Sequence, residues 1–182
     1  GPNVLKDPDG LALPPVTFLS LEDVMDLLEP LELKQVILEG QEAGLDPMYP
    51  WVAEALHQKF GCNTVLLTNG HQLPDLTHTD KLEFGIKAIT DSVNIDYTGK
   101  SNKTVLENLV KAYHQGKKLI VESVLIPGYI DIDEIERIAK YVASIDNSIP
   151  FMILPYFKSG DNPWRRPTKK EMEAAADLSK TY

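Results

Sequence analysis

The chain is short of several things at once. Its 182 residues include a single cysteine, Cys62, so no internal disulfide can form and nothing points to an oxidising compartment; a cytoplasmic location is the expectation. No apolar run approaches the roughly 18 residues that a membrane-spanning helix needs, and the N-terminus lacks the charged-then-apolar plan of a signal peptide. Positive charge is in deficit as well. Eighteen Lys and Arg face 27 Asp and Glu, for a net charge of −9, which argues against a nucleic-acid surface built on charge. The basic cluster of Arg165, Arg166, Lys169 and Lys170 is short and reads as a solvated helix start. There is no internal linker, no low-complexity segment and no Gly-x-Gly-x-x-Gly loop.

What is present is the balance of an ordinary globular protein, 43% apolar and 25% charged. A chain of this length suits one domain over residues 1–182 and should bury about 70% of the surface exposed when unfolded. From residue 20 onward, amphipathic stretches alternate with short apolar runs, the pattern of βα units around a parallel sheet. Ser20 and Asp23 form a capping pair for a helix to about residue 29. Residues 35–39 read as a buried strand. Pro50 opens a second helix, Gly61 closes it, and 64–69 form the next strand. A loop rich in His, Asp and Thr follows, with 91–96 as the third strand. Residues 101–116 then give a helix, 119–126 the longest strand, and Asp131 starts another helix. "PFMILPYF" at 150–157 is the last strand, and Thr168 with Glu171 caps a final helix. Five strands at intervals of about 25 to 30 residues fit βα units. A closed eight-stranded barrel needs about 250 residues, so an α/β part-barrel is the expected architecture.

In such a sheet the C-terminal ends of all strands lie on one rim. The predicted strand ends carry Glu39-Gly40-Gln41-Glu42, Thr68-Asn69-Gly70, Asp96-Tyr97-Thr98-Gly99, Ile126-Pro127-Gly128 and Leu154-Pro155-Tyr156. Gly40 and Gly70 allow turns that other residues resist, so backbone groups there can face a ligand or simply make short βα connections. Glu122 lies inside a strand, a costly place for a carboxylate unless it is paired. The loop 155–168, with Tyr156, Phe157 and Trp164 beside arginines, reads either as a partner anchor or as a cover with Trp164 as its plug. A metal-dependent hydrolase would draw on Glu39, Glu42, Asp46, His71, Asp75, His78 and Asp80, but the histidines crowd one loop. A domain that binds a nucleoside-like ligand or a partner without chemistry also fits. An imine-forming aldolase does not, because no predicted strand end presents a lysine in an apolar setting.

The order of these pieces resembles the radical S-adenosylmethionine enzymes, and within them the activating enzymes of pyruvate formate-lyase and other glycyl-radical proteins. Gly40-Gln41-Glu42-Ala43 stands where the family has Gly-Gly-Glu-Pro, which holds the amino group of the methionine moiety. Thr68-Asn69-Gly70 is similar to the family's Thr-Asn-Gly, "YTGKSNKTVLENL" from Tyr97 to its approach to the fourth helix, "VLIPGYID" from Val124 to its Leu-Ile-Pro-Gly stretch, and "ILPYF" at 153–157 to the sixth-strand segment near the adenine. The resemblance runs from about Lys34 to Thr168. It implies a part-barrel whose first strand is missing here, with S-adenosylmethionine held by Gly40, Gln41, Glu42, Thr68, Asn69, Gly70, Asp96, Glu122, Pro155 and Tyr156. Thr98 stands where the family's Asp-x-Lys has lysine, which leaves the lysine role unfilled. The family's [4Fe-4S] cluster needs three thiolates in Cys-x3-Cys-x2-Cys. This chain has none there, and Cys62 alone reads as structural. "GPNVLKDP" resembles the stretch directly after the third cysteine, and Gly1-Pro2 has the look of a tag remnant. The resemblance therefore implies a piece of a larger enzyme, inactive by itself, whose intact form uses S-adenosylmethionine, a [4Fe-4S] cluster, an electron donor and a glycyl-radical protein or small-molecule substrate.

Overall fold

The computed structural model describes residues 16–158 and 160–182. The "GPNVLKDP" stretch and the expectation attached to it lie outside these residues. Five parallel strands form one open sheet in sequence order: β1 (Gln35–Leu38), β2 (Asn63–Thr68), β3 (Lys81–Gly85), β4 (Lys118–Leu125) and β5 (Phe151–Pro155). Among the described residues, six α-helices connect and flank them: α1 (Leu21–Leu28), α2 (Tyr49–Phe60), α3 (Asp91–Thr98), α4 (Lys103–His114), α5 (Ile132–Ile145) and α6 (Lys169–Ser179). Sequential parallel order, with helical crossovers everywhere except between β2 and β3, which residues 69–80 join without a helix, is the topology of a barrel segment, as expected. No described helix is long and apolar enough to cross a membrane.

Strand alternation divides the sheet into two faces. Leu119, Val121, Ser123 and Leu125 of β4 are buried, and their register partners Leu82 and Phe84 share that face. Together with Leu66 they pack against Leu109 and Ala112 of α4, Ile135, Ile138 and Val142 of α5, and Ala175 of α6. The opposite, open face carries Ile37, Glu83, Gly85, Glu122 and Met152, of which Ile37 is 47% and Met152 39% exposed.

Helix ends follow the sequence signals. Capping boxes form at Ser20 with Asp23 and at Thr168 with Glu171, Asp131 caps α5, and Gly61 closes α2 with φ of +60°. One strand assignment is corrected. Residues 91–96 are not a strand but most of α3, and the third strand is Lys81–Gly85, from the stretch read as loop. Apolar Val93 and Ile95 alternate with polar neighbours, which imitates a strand. Local hydrogen bonds decide otherwise: Asn94 N–H to Thr90 O, Thr98 Oγ1 to Asn94 O, and Gly99 N–H to Ile95 O, with Gly99 ending the helix at φ of +79°. The slot between β2 and β4 goes to the segment that fills the core better. Leu82 and Phe84 are fully buried, whereas Ile95 is 45% exposed.

Candidate functional site

The loop after β1 has an unusual backbone. Gly40 has φ of +110°, and Gln41 follows with φ of +48°, the one non-glycine residue at positive φ among the described residues. Two such residues in succession turn peptide groups away from the strand ladder, at a cost of about 1–2 kcal/mol for the glutamine. Glu42 then reaches across to β2. Its Oε1 accepts the Thr68 hydroxyl at 2.6 Å and its Oε2 accepts the Asn69 N–H at 2.7 Å. Thr68 Oγ1 in turn accepts the Gly70 N–H at 3.0 Å, and Asn108 of α4 donates to Gly70 O at 2.9 Å. Gly70 has φ of +72°, and a Cβ there would stand 2.5 Å from the Phe84 ring, so only glycine fits. The two motifs singled out in sequence are thus joined into one structure through a carboxylate. An open groove of about 710 Å³ runs beside it, bounded by Phe18, Ile37, Glu39, Gly40 and Tyr49.

On the other side of that structure stands a residue the sequence reading missed. Lys87 follows β3 and lies at a pocket of about 320 Å³ with Asn69, Gly85, Tyr97 and Asn102. A Cβ on Gly85 would stand 3.1 Å from Lys87 Nζ, 3.6 Å from Glu122 Oε1 and 3.6 Å from Thr68 O, so the missing side chain is what lets these groups approach. Burial pushes the Lys87 amine below its usual range, opposed by the carboxylates of Glu122 and Glu42. Burial likewise raises the Glu122 carboxyl; Lys87 opposes this, and Glu83 and Glu39 add to it. No hydrogen bond or salt bridge reaches the Lys87 ammonium among the described residues. A lysine thus stands two residues past the end of β3, contrary to the expectation that no strand end presents one. The signal was there in "KLEFGIK", where Leu82, Phe84 and Ile86 alternate before a lysine.

Asp96 is corrected in consequence. It is not at a strand end but exposed in the last turn of α3, where its carboxylate accepts the Tyr129 hydroxyl at 2.5 Å. Burial, then the Asp96 carboxylate, push the Tyr129 hydroxyl well above its usual range. Pro155 ends β5, and the buried Tyr156 donates its N–H to Leu125 O at 3.2 Å. Trp164 stacks on Tyr129 at 4.4 Å and meets Tyr156 edge-on at 6.0 Å, with Tyr97 at 6.4 Å. Trp164 is thus half-buried among these three tyrosines. Phe157 stays 61% exposed beneath the Arg166 guanidinium, 4.3 Å away.

The residues a hydrolase would need do not converge. Among the described residues, no three His, Cys, Asp or Glu side chains are placed to hold a metal ion. Asp80 is bound to His57 at 2.8 Å and to the Thr64 N–H at 2.7 Å, while Asp46 and Asp75 cap their own turns. Cys62 is buried beside Met25 and Leu56, its thiol pushed up by burial.

No protein-family model matches the chain. A protein of Methanocaldococcus jannaschii that carries the name of a glycyl-radical enzyme activating enzyme is 28% identical over 170 residues, covering 89% of this chain and 66% of that protein. A pyruvate formate-lyase-activating enzyme of Staphylococcus aureus is 34% identical over 89 residues, 48% of this chain and 36% of the enzyme. The chain thus spans less than two thirds of either relative. Among solved structures, a domain of pyruvate-formate lyase-activating enzyme from Bacteroides vulgatus matches with a TM-score of 0.67 at 17% identity, over 82% of this chain and 94% of that one. Streptococcus suis SuiB bound to S-adenosylmethionine gives 0.72 at 11%, over 89% and 40%. A radical SAM methyltransferase from Sphaerobacter thermophilus gives 0.65 at 15%, over 88% and 53%. The fold is that of the radical S-adenosylmethionine part-barrel, with the sheet left open.

Proposed function

We propose that this chain is the S-adenosylmethionine-binding part of a radical enzyme that activates a glycyl-radical protein, with pyruvate formate-lyase as one candidate substrate. The observation that carries the reading is a carboxylate fixed between the β1 and β2 ends and a buried amine beside Gly85, opposite charges that act on one another. Glu42 is locked to the Thr68–Asn69 turn on one side, and the unpartnered Lys87 amine stands near Glu122 on the other.

An amino acid ligand fits that arrangement. Its ammonium would lie against the turned peptide groups of Gly40 and Gln41 and the Glu42 carboxylate, and its carboxylate against Lys87. Thr68, Asn69 and Gly70 hold Glu42 in place. Glu122 offers an acceptor for ribose hydroxyls, and the Pro155–Tyr156 strand end offers a surface for the adenine. Bound beside a reduced iron–sulfur cluster, S-adenosylmethionine would supply the radical chemistry that removes hydrogen from the substrate. This chain's part is to orient the ligand and exclude water. A single buried thiol cannot hold a [4Fe-4S] cluster, so the cluster and its three cysteines would belong to the rest of a longer protein working in the cytoplasm, with the electron donor a separate partner.

The test is S-adenosylmethionine binding by the intact protein, measured by calorimetry, with Glu42→Ala and Lys87→Met beside it. Each variant should weaken binding by at least about tenfold, equivalent to about 1.4 kcal/mol. Unchanged affinity in both folded variants would overturn the reading.

A further inference from the structure

Lys87 has no bond of its own to hold it, yet the segment that carries it is tied down on both sides. From α5, Glu134 reaches back to the β3–α3 connection. Its Oε1 accepts the Ile89 N–H at 2.6 Å and the Thr90 N–H at 2.7 Å, and its Oε2 accepts the Thr90 hydroxyl at 2.7 Å and an Arg137 N–H at 3.1 Å. From the start of α4, the Asn102 amide donates to Ala88 O at 3.0 Å and Ile89 O at 2.7 Å, while its N–H goes to Asp91 Oδ1 at 2.9 Å. The Ile86 N–H is bonded to Glu122 O at 2.9 Å. The backbone polar groups of residues 88–90 are thus mostly spoken for, at a place that is neither helix nor strand. Glu134 is 4% exposed and Asn102 6%. Burying a carboxylate is expensive, and a helix of this length packs well without one. An apolar residue would fill the same space at α5.

We propose that Glu134 is a positioning residue for Lys87, fixing the 86–90 segment so that the amine stands over Gly85 before any ligand arrives. The inference rests on the reading of Lys87 as a ligand-binding group. A displacement of about 1 Å at such a group is enough to cost a large factor in binding or rate. With the segment released, Lys87 can turn its amine to solvent, away from Glu122, Glu42, Glu83 and Glu39, the carboxylates that face its site.

The experiment reads Lys87 directly in this chain. Its rate of acylation across the alkaline range, followed by mass spectrometry of the Lys87 peptide, reports the amine's protonation without any cofactor. Glu134→Gln should move that profile toward an ordinary lysine, and Thr90→Ala, which removes only one hydroxyl, should move it part of the way. Lys140→Ala, which breaks an exposed pair with Glu136 on the same helix, should leave it alone. In the intact protein, Glu134→Gln should weaken S-adenosylmethionine binding by about tenfold or more. A folded Glu134→Gln chain with an unchanged Lys87 profile would overturn the proposal, and Thr90→Ala decides the matter if Glu134→Gln does not fold. Should the profile shift while the intact wild-type protein binds no S-adenosylmethionine, the positioning role stands and the proposed function fails.

Discussion

The Thr68 hydroxyl donates to Glu42 Oε1 at 2.6 Å, across 26 positions of sequence, and so ties the turned loop after β1 to the end of β2. Because Glu42 Oε2 also accepts the Asn69 N–H, one carboxylate fixes two strand ends at the spacing a ligand would meet. Replacing Glu42 by Ala leaves the Asn69 N–H and the buried Thr68 hydroxyl without their acceptor. The expected loss is about 1–3 kcal/mol of folding stability, seen as a lower urea midpoint at constant slope.

Lys87 should show the opposite balance between stability and function. Its amine is held below the ordinary value of 10.5, so the folded chain gives up its proton at lower pH than the unfolded one does. Below that window the charged amine is a standing cost, and stability rises as pH climbs through it. Lys87→Met should therefore raise stability at neutral pH by about 1 kcal/mol while removing ligand binding. Urea midpoints of the two proteins should converge toward alkaline pH.

Glu134 sets the acid side. Burial alone would raise its carboxyl, but hydrogen bonds from the Thr90 hydroxyl, the Thr90 N–H, Arg137 and the Ile89 N–H outweigh that and hold it below the ordinary 4.5. A depressed carboxyl contributes stability that is fully present above the unfolded value and is lost as pH falls through the folded one. Wild type should lose stability progressively below about pH 4.5. Glu134→Gln, weaker at neutral pH, should show a flatter acid limb in thermal melts recorded over the same range.

Two backbone positions make a contrasting pair. Gly70→Ala would drive a Cβ into the Phe84 ring at positive φ, and should cost about 3 kcal/mol or more through strain and overpacking. Gln41→Gly relieves a residue already at φ of +48° and should stabilise the chain by about 0.5–1 kcal/mol. Guanidine or urea unfolding of both, side by side, checks the two signs.

The alternation of βα units, the helix caps at Ser20, Asp131 and Thr168, and the Glu42 and Thr68-Asn69-Gly70 motifs were all legible in the chain. Each is encoded within a few residues by periodicity, a capping side chain or a glycine. The third strand was not. "DSVNID" and "KLEFG" both alternate, and period two alone cannot choose between them. The choice fell to packing, since Leu82 and Phe84 fill the space between β2 and β4, and to Glu134 and Asn102, which hold the connection before α3 from 45 and 13 positions away along the chain. Placing that strand is what delivers Lys87 to Gly85 and Glu122 and sends Asp96 to Tyr129. The sequence by itself determined the repeat and its local signals, because those depend on neighbours in the chain. The tertiary structure alone decided which charges meet, because that depends on which segment wins a shared place in the core.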